Sequence, residues 1–345
     1  MKKLSEEVKE FARSRGAMAV GIATVETLKA GPPSIDLNYK LKGARSAVSF
    51  ALPMNREMIR AFLAKKDRAS HEQDNLSTNV RSTELSWQIA AFIKKQGFEA
   101  RGTSSNLKYR KEVPGWELTL PPDISHRYLA VRSGVGSFGW SGNVGIKGFG
   151  TALILGTCLT TAELEPTEPV PEDQAFCDKC KLCVSACAVE MFEKDKEVSV
   201  TIGGKTFSHA ARRSYLLCQF CCGGLTGLHK SKKWSTWSPG RFSIPEKEPE
   251  LLKELLRAVS LYSQRPAMPG GYTHPAAGGI RQYMTCGNCQ VVCCGDKQET
   301  SKNLKLLHNS GCVFQKPDGE LYAAPAEEAE TVFEEMDQEH KRLYC

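Results

Sequence analysis

The sequence holds no apolar run approaching the ~20 residues that a membrane-spanning helix requires, so no membrane helix is expected. Its first segment, MKKLSEEVKEFARSRG, spaces Leu4, Val8, Phe11 and Ala12 among charges at helical intervals. That pattern reads as an amphipathic helix and not as a signal peptide, twin-arginine leader or anchor, and a cytoplasmic location is the expectation. Internal repeats are absent. Basic and aromatic residues do not interleave, and the net charge of +7 is scattered over short clusters such as KSKK at 230–233. A solvated basic surface is expected, with no nucleic acid and no membrane among the partners.

Cysteine, by contrast, is abundant: 14 in 345 residues. Without an export signal the thiols stay reduced, so ligation is the expected use rather than disulfides. Cys177, Cys180, Cys183 and Cys187 form C-x-x-C-x-x-C-x-x-x-C, the spacing of a bacterial ferredoxin half-motif. Three thiolates on a tight loop can hold one cubane while the fourth, carried off by the following helix, faces a second. Structural zinc is the alternative, but a tetrahedral four-ligand site has no use for the third closely spaced cysteine. The second half is CGNCQVVC, giving Cys286, Cys289 and Cys293. Crossed pairing predicts one [4Fe-4S] cluster on Cys177, Cys180, Cys183 and Cys293, and another on Cys187, Cys218, Cys286 and Cys289. Cys221 or Cys222 could replace Cys218. Cys158, Cys312 and Cys345 read as buried or free thiols.

A further motif lies at SGVGSFGWSG, where Gly134, Gly136 and Gly139 spell G-x-G-x-x-G. A dinucleotide fingerprint needs a strand before and a helix after. Here DISHRYLAVR reads as a helix before the glycines, and Ala152 to Leu155 as a strand after them, the reverse of a Rossmann unit.

The fold class expected is α/β in the mixed α+β sense. Strands are predicted at AMAVGIA and SAVSFAL, a helix at STELSWQIAAFIKKQG, a hairpin at VSVTIGGKTF and an amphipathic helix at PELLKELLRAVSLYSQ. The acidic, proline-bearing segment 161–173 reads as a linker. The domains expected are 1–165, then 166–315 with an insertion at about 223–285, then a helical C-terminal tail over 316–345.

This combination resembles the family of epoxyqueuosine reductases and corrinoid-dependent reductive dehalogenases. The resemblance runs from GAMAVGIA and KGARSAVSFALP to CGNCQVVC, and is most specific at LAVRSGVGSFGWSGNVGIKGFGTALILGTCLTT. It implies a nitroreductase-like domain holding base-off cobalamin, followed by a two-cluster ferredoxin-like domain. The corrinoid contacts it implies are Arg132, Gly134, Gly136, Gly139, Ser141 and Asn143. No D-x-H-x-x-G string occurs, in keeping with a family that uses no histidine as lower ligand.

For the proton donor the resemblance implies an aspartate or a tyrosine. Asp123 and Tyr128 are the candidates, and the structural alternative for Asp123 is the N-cap of the helix starting near Ser125. Family members place Lys or Arg after the third glycine, where this chain has Trp140. Only a short stretch follows VFQKPDGELYAAP, so the helical-repeat domain that tRNA-docking members of that family are implied to use is not expected, and a tRNA substrate is disfavoured. The expectation is a cobalamin- and iron-sulfur-dependent reductase of a small organic molecule, supplied by an external low-potential donor of ferredoxin or flavodoxin type. The alternative is an electron-transfer protein or reductive activator of a separate corrinoid enzyme. Trp234, Trp237 and Phe242 in the insertion either wall a pocket over the corrinoid or anchor a long loop.

Overall fold

Leu4, Val8 and Ala12, one helical turn apart, seat helix α1 (Lys2–Arg13) on a sheet whose strands come from three separate parts of the chain. The structure, a computed structural model, describes residues 1–105, 108–275 and 277–345. Strands β1 (Ala19–Thr24) and β2 (Ser46–Pro53) are joined by α2 (Arg56–Leu63) and the long α3 (Ala69–Lys94) to β3 (Ala100–Gly102). After α4 (Trp116–Thr119) and α5 (His126–Arg132) come the short hairpin strands β4 (Ser137–Phe138) and β5 (Val144–Gly145), then β6 (Leu153–Thr160). The sheet order is β1-β2-β6-β3, antiparallel throughout.

Both faces of this sheet are covered, which explains why β2 reads as a continuous apolar run rather than an alternation. On one face α1 and α3 bury Val8, Leu85, Ile89 and Ile93 against Ile22, Val48 and Phe50. On the other, α5 lays Leu129, Ala130 and Val131 over Ala47, Ala51 and Leu159. The second contact needs a glycine in β1, because a Cβ on Gly21 would lie 1.9 Å from the Ser133 carbonyl oxygen.

The segment read as a linker is stitched to this body instead. Leu164 N–H donates to Ser46 Oγ at 3.0 Å, Glu165 N–H to Ser5 Oγ at 2.8 Å and Thr167 N–H to the Ile22 carbonyl at 2.8 Å. Its prolines interrupt regular structure without freeing the chain.

Beyond it, α6 (Leu182–Ser185) precedes the hairpin β7 (Phe192–Ile202) and β8 (Lys205–Arg212), turned at Gly203-Gly204. There follow α7 (Tyr215–Cys222), α8 (Glu248–Tyr262), the pair β9 (Tyr272–Thr273) and β10 (Arg281–Gln282), and α9 (Asn288–Val291). The chain ends with α10 (Lys297–His308), the hairpin β11 (Cys312–Gln315) and β12 (Leu321–Ala324), and helices α11 (Ala326–Glu335) and α12 (Gln338–Lys341). The mixed α+β class is as expected, and so are the hairpin at Gly203-Gly204 and the helix α8, which buries Leu251, Leu255 and Ala258. In the insertion Trp234, Trp237 and Phe242 are buried, and Trp237 Nε1 donates to the Phe62 carbonyl at 2.9 Å. They act as anchors. Among the described residues no helix is long and apolar enough to cross a membrane.

Candidate metal centres

The loop Cys177–Cys183 is shaped by its own short side chains. Asp178 Oδ1 accepts from the Cys180 N–H at 3.1 Å, and Lys179 and Lys181 take left-handed backbone angles of +56° and +60°. For side chains with a Cβ such angles are uncommon, and here they coil the loop so that its three thiols share one space. Cys177, Cys180 and Cys183 line a cavity of about 210 Å³, and the fourth cysteine on its wall is Cys293, from the other motif. Helix packing closes this distance in sequence. Helix α6, which carries Cys183, lies against α9, which immediately precedes Cys293, while α10 packs on both α6 and α2. Burial and the neighbouring Cys293 and Cys177 push the Cys183 thiol up to about 12, and burial raises Cys293 to about 11.

The remaining motif cysteines gather in a second group. Ser214 caps α7, accepting from the Leu216 N–H at 3.3 Å, and the helix then presents Cys218, Cys221 and Cys222 at i, i+3 and i+4, on one face. Opposite them stand Cys187, Cys286 and Cys289, with Cys218 and Cys286 both acting electrostatically on Cys187 and on Cys289. Two sulfur pairs are in contact: Cys218 Sγ to Cys222 Sγ at 3.5 Å, and Cys221 Sγ to Cys286 Sγ at 3.6 Å. The hydrogen bond from Cys222 lowers the Cys218 thiol, those from Cys221 and Cys222 lower Cys286, and the two donors are raised in turn. Among the described residues no three His, Cys, Asp or Glu side chains converge as the ligands of one metal ion would.

The glycine loop lies between the two groups. Its Trp140 N–H donates to Cys177 Sγ at 3.3 Å, and Gly139, Trp140 and Ser141 wall the first cavity. Asn143 Nδ2 donates to Ser141 Oγ at 3.1 Å and to the Cys289 carbonyl at 3.3 Å, with Cys289 Sγ 3.9 Å away. The position where a cation was expected is served from the cysteine loop, because Lys181 Nζ stands 4.7 Å from the centre of the Trp140 ring.

These residues do not present a corrinoid cradle. A Cβ on Gly134 would meet the Glu168 carbonyl at 2.2 Å, one on Gly136 the Gly145 carbonyl at 2.5 Å and one on Gly139 the Phe176 ring at 2.8 Å. The close approach the glycines permit is to the chain itself. Arg132 Nε donates to the Thr27 carbonyl at 2.9 Å, and its Nη1 is a buried atom without a partner. Of the three glycines only Gly139 walls the 210 Å³ cavity, which the cysteines share.

Asp123 is buried and paired with Lys40, and its Oδ1 accepts from the Ile124 N–H at 2.8 Å. It lines a different cavity, of about 490 Å³, together with Lys40, Lys94, Arg101 and Lys108 and with no cysteine. It does not cap α5; Ser125 does, accepting from the Tyr128 N–H at 3.4 Å. Tyr128 is half-buried, edge-on to Phe138 with ring centres 6.0 Å apart.

Sequence reading missed the supports of the second group. Glu72 on α3, paired with Arg68 at 2.7 Å, accepts from the Gly271 N–H at 2.6 Å and the Met284 N–H at 2.7 Å, two residues before Cys286. A lone Glu in a polar helical stretch gives no signal of partners about 200 residues away in sequence. Arg212, whose Nη2 donates to the Ser141 carbonyl at 3.0 Å, supplies positive charge to Cys218 and Cys289.

No family model matches the chain, and no curated protein matches it. Among solved structures it overlays a reductive dehalogenase studied for B12-dependent dehalogenation at TM-score 0.49 and 15% identity, covering 74% of this chain and 34% of that one. It overlays the epoxyqueuosine reductase from Bacillus subtilis at TM-score 0.44 and 17% identity, covering 86% and 66%. An epoxyqueuosine reductase bound to a modified tRNA stem loop overlays at TM-score 0.42 and 15% identity, covering 88% and 80%. The chain thus spans about a third of the length of the dehalogenase. Overlays this loose say nothing about the chemistry of the chain.

Proposed function

We propose that this chain is an iron-sulfur oxidoreductase carrying two clusters, a reductase of a small organic substrate. The observation that carries the reading is the meeting of Cys177, Cys180 and Cys183 with Cys293 on one cavity, while Cys187 gathers with Cys218, Cys286 and Cys289. This is the crossed arrangement of two-cluster ferredoxins. Bound at these thiols, iron-sulfur clusters would supply one-electron transfer at low potential. The chain contributes N–H donors at the sulfurs, from Trp140 to Cys177 at 3.3 Å and from Met191 to Cys187 at 3.4 Å. It also contributes an apolar surround, with Met191, Val291, Val292 and Phe192 in the same packed cluster as the cysteines of both groups.

An external donor of ferredoxin or flavodoxin type and a corrinoid acceptor complete the proposal, both on the strength of the resemblance alone. No glycine-loop residue is assigned to the corrinoid, since the loop is spent on spacing the cysteine groups. Nor is Asp123 assigned as the acid, because it is paired with Lys40 and lines a cavity that holds no cysteine. The test is anaerobic reconstitution followed by visible and EPR spectroscopy, with and without cobalamin. Two reducible clusters, and a cobalamin spectrum that changes on adding the protein, are expected. A chain that takes up zinc in place of iron and sulfide would refute the proposal.

A further inference from the structure

A cubane takes four cysteines, one on each iron. The first group meets that number, with four thiols around its cavity. The second does not: Cys187, Cys218, Cys221, Cys222, Cys286 and Cys289 bring six thiols together, and four of them stand as contacting pairs at 3.5 and 3.6 Å. Thiolates on different corners of a cubane are held apart by the cluster between them. Two thiolates on one tetrahedral metal, with bonds of about 2.3 Å, stand about 3.8 Å apart. The pairs Cys218/Cys222 and Cys221/Cys286, hydrogen-bonded at 3.5 and 3.6 Å, stand close to the spacing of two ligands on a single iron.

We propose that the second centre is a thiol-rich iron-sulfur cluster with more than four cysteine ligands, in which Cys221 and Cys222 are ligands and at least one iron carries two thiolates. This rests on the proposed function and changes the chemistry of one of its two sites. Helix α7 is built for it. Its spacing of i, i+3 and i+4 delivers three sulfurs to one side. Cys221 is buried at 2% exposure, and its thiol is directed at Cys286 rather than at the apolar packing around it. The additional thiolate charge would set the second centre at a lower potential than the first.

The experiment uses the reconstituted full-length chain under anaerobic conditions, with iodoacetamide labelling read residue by residue by mass spectrometry. Cys222 and Cys345 are both exposed residues, and Cys345, outside the cysteine groups, serves as internal reference for the reagent. In the cluster-loaded protein Cys222 should label at least about tenfold more slowly than it does in the iron-free protein, while Cys345 labels at the same rate in both. Cys221→Ser and Cys222→Ser should each alter the Mössbauer spectrum of the second centre while the first is unchanged. If Cys222 labels as fast in the loaded protein as in the iron-free one, or both variants keep the wild-type spectrum and iron content, the inference is overturned and the two-cluster reading stands. A chain that binds no iron overturns both.

Discussion

The two cysteine groups of this chain are built from the same kind of motif and come out differently. The first is a loop that closes on itself: three thiols within seven residues, shaped by Asp178 and two left-handed lysines, completed by a single visitor, Cys293. The second is assembled at long range, from the end of that loop, one face of α7, the turn before α9 and α9 itself, with Glu72 of the N-terminal body fastening the backbone at Met284. A site whose ligands are neighbours in sequence is specified locally and tolerates changes elsewhere. One whose ligands are scattered depends on every element that positions them. The second group should therefore be the more fragile and the more adjustable.

The most drastic way to break the comparison is to remove one ligand from each. Cys183→Ser should cost the first cluster and Cys289→Ser the second, each leaving about half of the iron. Iron analysis with EPR of each variant checks this, and loss of all iron in both would show the groups to be interdependent.

Next in size is the support unique to the second group. Glu72→Leu leaves Arg68 buried without its partner and strips two backbone N–H groups of their acceptor. About 3–5 kcal/mol of stability should be lost, with the second centre failing to assemble before the first. Urea unfolding of the iron-free chain and the EPR signal of the loaded one read the two effects separately.

The neighbouring His71, buried against Phe62 with ring centres 4.6 Å apart, offers a milder probe of the same helix. Burial lowers it from 6.5 to about 4, with Asp74 and Glu72 opposing. Between those values the unfolded chain binds the extra proton, so stability is full above pH 6.5 and falls as the pH drops toward 4. On the order of 3 kcal/mol is at stake. His71→Phe should flatten that part of the stability profile of the iron-free protein, measured by denaturant midpoints across the range.

The smallest effect expected is at the loop between the groups. Asn143→Leu removes an N–H donor beside Cys289 and leaves the Trp140 bond to Cys177 intact. Redox titration should find the second centre shifted to lower potential by tens of millivolts, with the first unmoved.

Much of this was legible in the sequence where the signal is local. The spacing of Cys177 to Cys187 announced a group of neighbouring thiols, Gly203-Gly204 after the alternating Val198, Val200 and Ile202 announced the hairpin, and the leucines of 251–256 announced an amphipathic helix, of which Leu251 and Leu255 are buried and Leu256 is exposed. What was not legible depends on partners remote in sequence. The glycines of 134–139 gave the pattern of a ligand loop, yet the backbone they admit is their own chain's, at Glu168 and Gly145. Asp123 was weighed as an acid or a cap without sight of Lys40, and the prolines of 166–171 hid a segment tied to β1 through Thr167. Three cysteines on α7 left the choice of ligand open because spacing alone does not say how many of them face the same sulfur neighbours.

The central claim, two iron-sulfur centres on crossed cysteine sets, is tested most directly by counting. Anaerobically reconstituted wild-type protein should contain about eight irons and about eight acid-labile sulfides per chain. About four irons, or stoichiometric zinc without labile sulfide, would contradict it.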